Sequence, residues 1–404
     1  MTKFGESTNP NVDQADRLGV RNGLSPKDVI VNFATKLGFD YVGVTSVESL
    51  ERGITAKERV RDGFMRGLNW FTEERVVKAS SPKQLLPEAQ SILSLAVSYY
   101  YPVKRSESLE LRGKIARYAW SQDYHSVLKS KTRLLVQFIE EQFHSRYNRI
   151  FVDDSPLLER AVAERSGIAW YGKNTMMLTR NHGSWVLLAE ILTDLSLPVD
   201  QKLNKNCGSC TICIVECPTG ALTPYALDNQ KCISFWTIEH KGIIPRDVRP
   251  LIGTWVFGCD LCQDVCPVNR KIQQARDAAF MSSDTHIRSV ELTNLLQMTQ
   301  EEYQVKFKGS PIKRAKLNGL KRNACIALGN IGNAEAVSHL ERVLMHSDSV
   351  VQVHAAWALG KIGGIRAKEI LTKALPSIED DDVITEIVDA LDAIKVLHDD
   401  KIGA

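Results

Sequence analysis

Nine cysteines carry the most legible chemistry in this chain. None precedes Cys207, eight fall between Cys207 and Cys266, and Cys325 stands apart. Cys207, Cys210, Cys213 and Cys217, followed by Pro218, form a C-x2-C-x2-C-x3-C-P run. In that bacterial ferredoxin pattern three thiolates wrap one cubane and the fourth serves a second cluster. The second half departs from the pattern. Cys259, Cys262 and Cys266 precede Pro267, and Cys232 stands alone upstream. Eight thiolates suit two [4Fe-4S] clusters with four ligands each, in preference to zinc. The crossing rule assigns Cys207, Cys210, Cys213 and Cys266 to one cluster. It leaves Cys217, Cys232, Cys259 and Cys262 for the other. Cys232 enters by counting alone, and a buried structural thiol is the alternative. Cys325 reads as a small core residue of a repeat helix.

Two clusters make an electron wire, which needs an acceptor at one end. The chain has no G-x-G-x-x-G. Gly167 to Lys173 nearly matches a phosphate-binding loop, but Asn174 stands where Ser or Thr would bind magnesium. The D-x-H-x-x-G run of histidine-ligated cobalamin proteins is missing too. Spacing alone names no cofactor for the wire to serve.

The elements that must position this chemistry come from 404 residues, 44% of them hydrophobic and 25% charged. That is globular composition, with room for two or three domains. Net charge is +3. No apolar run is long enough to span a bilayer. The start lacks a secretory core and a twin arginine, so a cytoplasmic location is expected. The fold class expected is multidomain with mixed α and β structure. Residues 1–24 read as a loose tail. Residues 25–195 read as a mixed α and β domain. Its helix at 25–37 is capped by Ser25 with Pro26 at the first turn. Strands are expected at 41–44, 91–100 and 149–152, and a long helix over about 124–146. A helix follows from about Pro156. The apolar run 185–192 reads as a strand, with a helix as the alternative.

A linker leads into a ferredoxin-like domain at 196–270, with linker helices at 271–302. From 303 to 404 the pattern is helical. Ala327-Leu328-Gly329-Asn330-Ile331-Gly332 recurs as Ala358-Leu359-Gly360-Lys361-Ile362-Gly363. This pattern resembles HEAT-like repeats, with an unrelated helical cap as the alternative. Lys306, Lys308, Lys313, Arg314, Lys316, Lys321 and Arg322 fall between Tyr303 and Asn323 with no acidic residue among them. Such a cluster suits phosphate, although a solvated face looks the same.

Four further runs resemble those of the epoxyqueuosine reductase family. They are Arg117-Tyr118-Ala119-Trp120-Ser121-Gln122-Asp123-Tyr124-His125, Val152 to Arg160, Ala163 to Asn174, and Cys232 to Glu239. Their order matches, and the resemblance extends from about residue 25 to 365. Ser121, Asp154 and Ser166 depart from it. The resemblance implies an iron–sulfur enzyme that reduces epoxyqueuosine to queuosine at the tRNA wobble position. It implies cobalamin, as cob(II)alamin, base-off in the 25–195 domain with no protein histidine on cobalt.

Asp153 matches the proton donor. That role requires a raised pKa, through burial beside the corrin. From the residues alone, Asp153, Asp154 and Ser155 would instead cap the following helix. Arg117, Tyr118, His125, Asp153, Lys173, Asn174, Ser234, Thr237 and Asp260 are candidate cofactor contacts. Glu159 and Arg160 read as a surface pair on a helix. Lys313, Arg314, Lys316, Lys321 and Arg322 are candidate tRNA contacts. The expected partners are tRNA with GUN anticodons and a low-potential donor such as flavodoxin or ferredoxin, with no membrane and a monomeric chain. A corrinoid reductive dehalogenase-like enzyme for a small molecule is the rival reading.

Overall fold

The computed structural model describes residues 23–102, 111–281 and 288–402, so the expected tail falls almost wholly outside the described residues. Helix α1, Pro26–Lys36, starts where Ser25 and Asp28 close a reciprocal capping box. Strands β1 (Tyr41–Ser46), β2 (Ser91–Ser98), β4 (Asn148–Phe151) and β5 (Val186–Thr193) build one antiparallel sheet in the order β1-β2-β5-β4. Here β3 is Arg112–Ile115, which belongs to another sheet.

Helices α1 and α2 (Tyr124–Phe143) cover one face of the first sheet, and α3 (Glu159–Arg165) packs on the other. Leu93, Leu95 and Val97 of β2 turn to the first face; Ile92 and Ala96 turn to the second. With both faces covered, β2 and β5 read as near-continuous apolar runs rather than alternating ones.

The helix expected from Pro156 begins only at Glu159. Its N-cap is Leu158, and no side chain caps it. Asp154 instead pairs with Lys129, so neither it nor Ser155 acts as the cap.

A second sheet ties the regions together. Strand β3 pairs in parallel with β6 (Trp255–Phe257) and antiparallel with β7 (Ser289–Glu291). The 271–302 segment is therefore not helical throughout. It contributes β7 before its helices at Leu292–Gln297 and Gln300–Lys306.

Among the described residues five α-helices follow: α4 (Lys316–Ile331), α5 (Val337–His346), α6 (Ser349–Ile362), α7 (Gly364–Ala374) and α8 (Asp381–Ile402). The repeated Gly in the Ala-Leu-Gly motif has a packing cause. A Cβ on Gly329 would lie 2.6 Å from the Trp357 ring, and one on Gly360 2.6 Å from Ala390. Only Gly lets α4 approach α6, and α6 approach α8, this closely.

The repeats share one apolar core with the cysteine module, from Ile115 through Trp236 and Phe257 to Ile394. Asn323 Nδ2 caps the carbonyls of Thr237 and Val256 at 2.9 and 2.8 Å, and Asn330 Nδ2 caps those of Arg249 and Gly253 at 2.9 Å. Among the described residues no helix is long and apolar enough to cross a membrane.

Candidate active site and cluster module

Asp153, two residues past the end of β4, holds a left-handed backbone, with φ 52°. Such a conformation costs a non-glycine residue energy and persists where the surroundings enforce it. Two groups enforce it here. The Asp153 N–H donates to Glu159 Oε1 at 2.6 Å, and the Tyr124 hydroxyl donates to Asp153 Oδ2. His125 Nε2 stands 3.9 Å from the same oxygen, and its Nδ1 is 2.8 Å from Asp123. The His125 ring stacks on Tyr124 with centroids 4.0 Å apart. Asp123 caps the start of α2, and the bond from His125 holds its carboxyl below the usual range. Asp153 Oδ1 has no hydrogen-bond partner among the described residues.

The protein's own atoms do not bury Asp153 as its expected role requires, because its side chain is 60% exposed. Burial lies one layer behind. Arg160 is exposed, as read from the sequence, and bonds the Thr175 carbonyl, whereas Glu159 is half-buried and accepts from the Asp153 N–H. Burial first, and then the charge of Asp153, push the Glu159 carboxyl up to about 8. Glu190 of β5 is 0% exposed. Ser94 reaches one of its oxygens at 3.3 Å, and the other has no partner among the described residues. Burial and the neighbouring Glu159 push its carboxyl well up.

The sequence offered a sign of Glu190 that was not read: a single acid inside the apolar run 185–192. Tyr124 lay within a quoted motif without a role. Its hydroxyl is kept protonated by burial and by Asp153.

Tyr118 links this carboxyl cluster to the cysteine module. Burial, then Asp153 and then Asp260, push its hydroxyl up. Its ring lies 6.1 Å from Tyr124 and 6.0 Å from Phe257. The adjacent Arg117 N–H donates to Asp260 Oδ2 at 2.8 Å. The Arg117 guanidinium lies among Tyr100, Trp120 and Trp185, with Asp264 at 3.7 Å, so its work is to join segments.

The thiols form two groups. Cys213 is pushed up by burial and then by Cys266, Cys207 and Cys210 nearby. Cys259 is pushed up by burial, with Cys232 and Cys217 among its neighbours, and Cys262 by burial with Cys259 and Cys232. Among the described residues no three metal-ligating side chains converge as a single ion requires. Cubane ligands stand farther apart. Cys325 is fully buried in α4, remote from both groups in its contacts.

Several expected cofactor contacts have other partners. The Lys173 N–H points to Cys207 Sγ at 3.4 Å and its Nζ donates to the Gly208 carbonyl at 2.7 Å. Asn174 Nδ2 donates to the Cys262 carbonyl at 3.1 Å. Both dock the first domain onto the cysteine loops. Thr237 is 0% exposed, bonding the Ile233 carbonyl and the Gly258 N–H, and Asp260 is 1% exposed. Both are buried by the protein's own atoms. Ser234 bonds Cys232. Gly167, φ 74°, serves a crossing rather than a phosphate cradle, since a Cβ there would meet the Gln201 carbonyl at 2.2 Å.

The basic stretch divides. The Arg322 side chain is buried and donates to the carbonyls of Trp236, His240 and Gly242 at 2.6–2.9 Å. It is structural and cannot meet a phosphate, which corrects its expected role. Lys313 and Lys316 line a surface hollow with Gln300, Gln304 and Asn318. Lys321 is half-buried, and burial lowers its pKa. Arg314 pairs with Glu239 at 2.6 Å. Burial works against its charge, but Glu239 and then Asp153 hold its pKa above the usual value. The Asp123 N–H donates to the Gly309 carbonyl at 2.7 Å. The basic turn thus abuts the Asp153 site.

Comparisons with known proteins agree along the chain. A family model described as "Epoxyqueuosine reductase QueG, DUF1730" matches residues 80–154. A 4Fe-4S double cluster binding domain matches 206–269, and HEAT repeats match 318–392. An epoxyqueuosine reductase of Bacillus subtilis (strain 168) is 37% identical over 378 residues, covering 91% of this chain and 96% of the relative. One from Xanthomonas campestris is 34% identical over 345 residues, covering 83% and 95%. A crystal structure of epoxyqueuosine reductase with an epoxyqueuosine-modified tRNA-Tyr stem loop superposes with TM-score 0.85 at 34% identity, covering 91% of this chain and 98% of that one. A Bacillus subtilis structure, described as having its catalytic aspartate loop swung out of the active site, superposes with TM-score 0.83 at 34% identity and the same coverage.

Proposed function

We infer that this chain, which belongs to the epoxyqueuosine reductase family, reduces the epoxide of epoxyqueuosine in tRNA to the cyclopentene of queuosine. The reaction removes the epoxide oxygen as water and consumes two electrons and two protons. Two [4Fe-4S] clusters held by the cysteine module would supply the electrons one at a time.

Cys207, Cys210, Cys213 and Cys266 would hold one cluster; Cys217, Cys232, Cys259 and Cys262 would hold the other. The second is the nearer to Asp153. Its Cys259 and Cys262 flank Asp260, which bonds Arg117 beside Tyr118. A low-potential donor such as flavodoxin or ferredoxin would then deliver electrons at the first cluster.

The surroundings of Asp153 fit a cobalamin: its side chain is 60% exposed, and the His125 and Tyr118 rings lie on either side of Tyr124, which bonds it. Tyr118, His125 and Asp153 would contact the cofactor. Cobalamin supplies, when bound, a low-valent cobalt that accepts the electrons and acts on the strained C–O bond.

Asp153 is the acid. Tyr124 occupies Oδ2, which leaves Oδ1 to carry a proton to the departing oxygen. An unprotonated alkoxide leaves poorly, and a positioned acid contributes about 10²–10⁴-fold. Lys313, Arg314, Lys316 and Lys321 take the tRNA phosphates. The modified base leaves its stack to reach the site.

The observation that carries this reading is the meeting of Asp153, Tyr124 and His125 with the Cys259–Cys262 loop on one side and Arg314 on the other. The test is anaerobic reconstitution with iron, sulfide and cobalamin, followed by a low-potential reductant and epoxyqueuosine-containing tRNA. Queuosine is then measured by mass spectrometry after digestion. Cobalamin-dependent conversion, lost in Asp153→Asn, is expected. No conversion by protein carrying both clusters and a corrinoid overturns the reading.

A further inference from the structure

Asp153 holds a conformation that its own chain disfavours, two residues past the end of a strand, with most of its side chain in the open. No side chain caps the helix that follows. Residues 152–158 between strand and helix form bends without regular structure. Such a segment has little of its own to fix a carboxyl in place. Among the described residues, the one polar side chain that reaches its backbone at Asp153 is Glu159, at 2.6 Å.

Glu159 is itself held from behind. It sits in the first turn of α3, whose Ala161 and Val162 pack against Ile92 of β2 and Leu192 of β5. Glu190, fully buried on β5, pairs in register with Phe151, two residues before Asp153. The three acids therefore run inward from the surface: Asp153, Glu159, Glu190.

We propose that Glu159 is a positioning residue for the acid: its carboxyl oxygen, accepting the Asp153 N–H, is the latch that keeps the 152–158 loop turned into the site. This rests on the reading of Asp153 as the proton donor. The latch acts by acceptance of a hydrogen bond, and a neutral carboxyl does this through its carbonyl oxygen. The desolvated setting beside Asp153 and Glu190 favours that neutral form. Glutamine therefore replaces Glu159 with its function intact, and leucine, of similar size, does not. The swung-out loop described for the Bacillus subtilis structure shows that the corresponding loop of a relative occupies a second position. The chemistry of the latch predicts which bond separates two such positions in this chain.

The experiment compares cluster-loaded wild type, Glu159→Gln, Glu159→Leu and Asp153→Asn by two readouts. The first is amide hydrogen exchange of the 152–158 segment, read by mass spectrometry without substrate. The second is the kcat and KM for epoxyqueuosine-containing tRNA. Glu159→Leu is expected to lose exchange protection in 152–158 and about 10²-fold in kcat, the scale of an ångström's misplacement, at unchanged KM. Glu159→Gln is expected to keep both near wild type. Wild-type exchange in Glu159→Leu, or equal loss in Glu159→Gln and Glu159→Leu, overturns the latch. An inactive wild type would overturn the proposed function instead, and the exchange readout would still decide the latch. Equal melting temperatures and iron contents separate both outcomes from misfolding.

Discussion

The backbone N–H of Arg117 donates to Oδ2 of Asp260 at 2.8 Å, which joins the segment carrying Tyr118 to the loop between two cysteines. Asp260 is buried, so this bond is made without competition from water. It places the cluster loop and the carboxyl site on the two sides of one short turn.

Removing that acceptor leaves a buried N–H unpaired. Asp260→Ala is expected to cost about 1–3 kcal/mol of stability. Asp260→Asn, which keeps an acceptor, is expected to cost less. Denaturant unfolding of the cluster-loaded protein is the check.

Tyr124→Phe removes the hydroxyl that fixes Oδ2 of Asp153 while keeping the ring that stacks on His125. A hydrogen bond to a carboxylate is worth about 1.5–3 kcal/mol, so turnover is expected to fall roughly ten- to a hundredfold. Single-turnover kinetics should place the loss in the chemical step. An unchanged rate would remove Tyr124 from the site's machinery.

Arg322→Ala and Lys316→Ala separate the two halves of the basic stretch. The first leaves one buried and two part-buried carbonyls without their donor, and stability should fall by about 1–3 kcal/mol. The second should leave folding alone. It should also lower the slope of log affinity for tRNA against log salt by about 0.7–0.9, one phosphate contact. Titrations at three salt concentrations test this.

The two raised carboxyls set a pH dependence of stability. Glu159, raised from 4.5 to about 8, is protonated in the folded chain while the unfolded chain ionises. Its contribution is full below about 4.5 and is lost as pH rises to about 8. Glu190, raised also, acts in the same sense. Stability should therefore decline with pH across that window. Glu190→Gln should flatten the decline by one proton's worth of slope. An unchanged slope would mean that Glu190 is ionised when folded.

Iron content tests the thiol groups. Cys325→Ala should keep about eight irons, whereas Cys232→Ala should lose about half of them. Burial pushes both thiols up, so the distinction lies in their neighbours.

The sequence alone determined what depends on local order. Thiol spacing specified two cubanes, because ligands three residues apart can wrap one metal cluster only locally. The Ser25 cap, the buried strands and the Ala-Leu-Gly repeat were legible because period and capping are local properties. Tertiary structure decided what distant segments do to one another. Arg322 and Lys316 read alike in the sequence. One became an interior donor, because α4 presses that face against carbonyls about 80 residues earlier in the chain. Lys173 and Asn174 were drawn to the cysteine loops by groups that lie beyond Cys207. Glu159 and Glu190 gained their place behind Asp153 only when β4 and β5 paired, because burial and the field of neighbouring charges exist only in the folded chain.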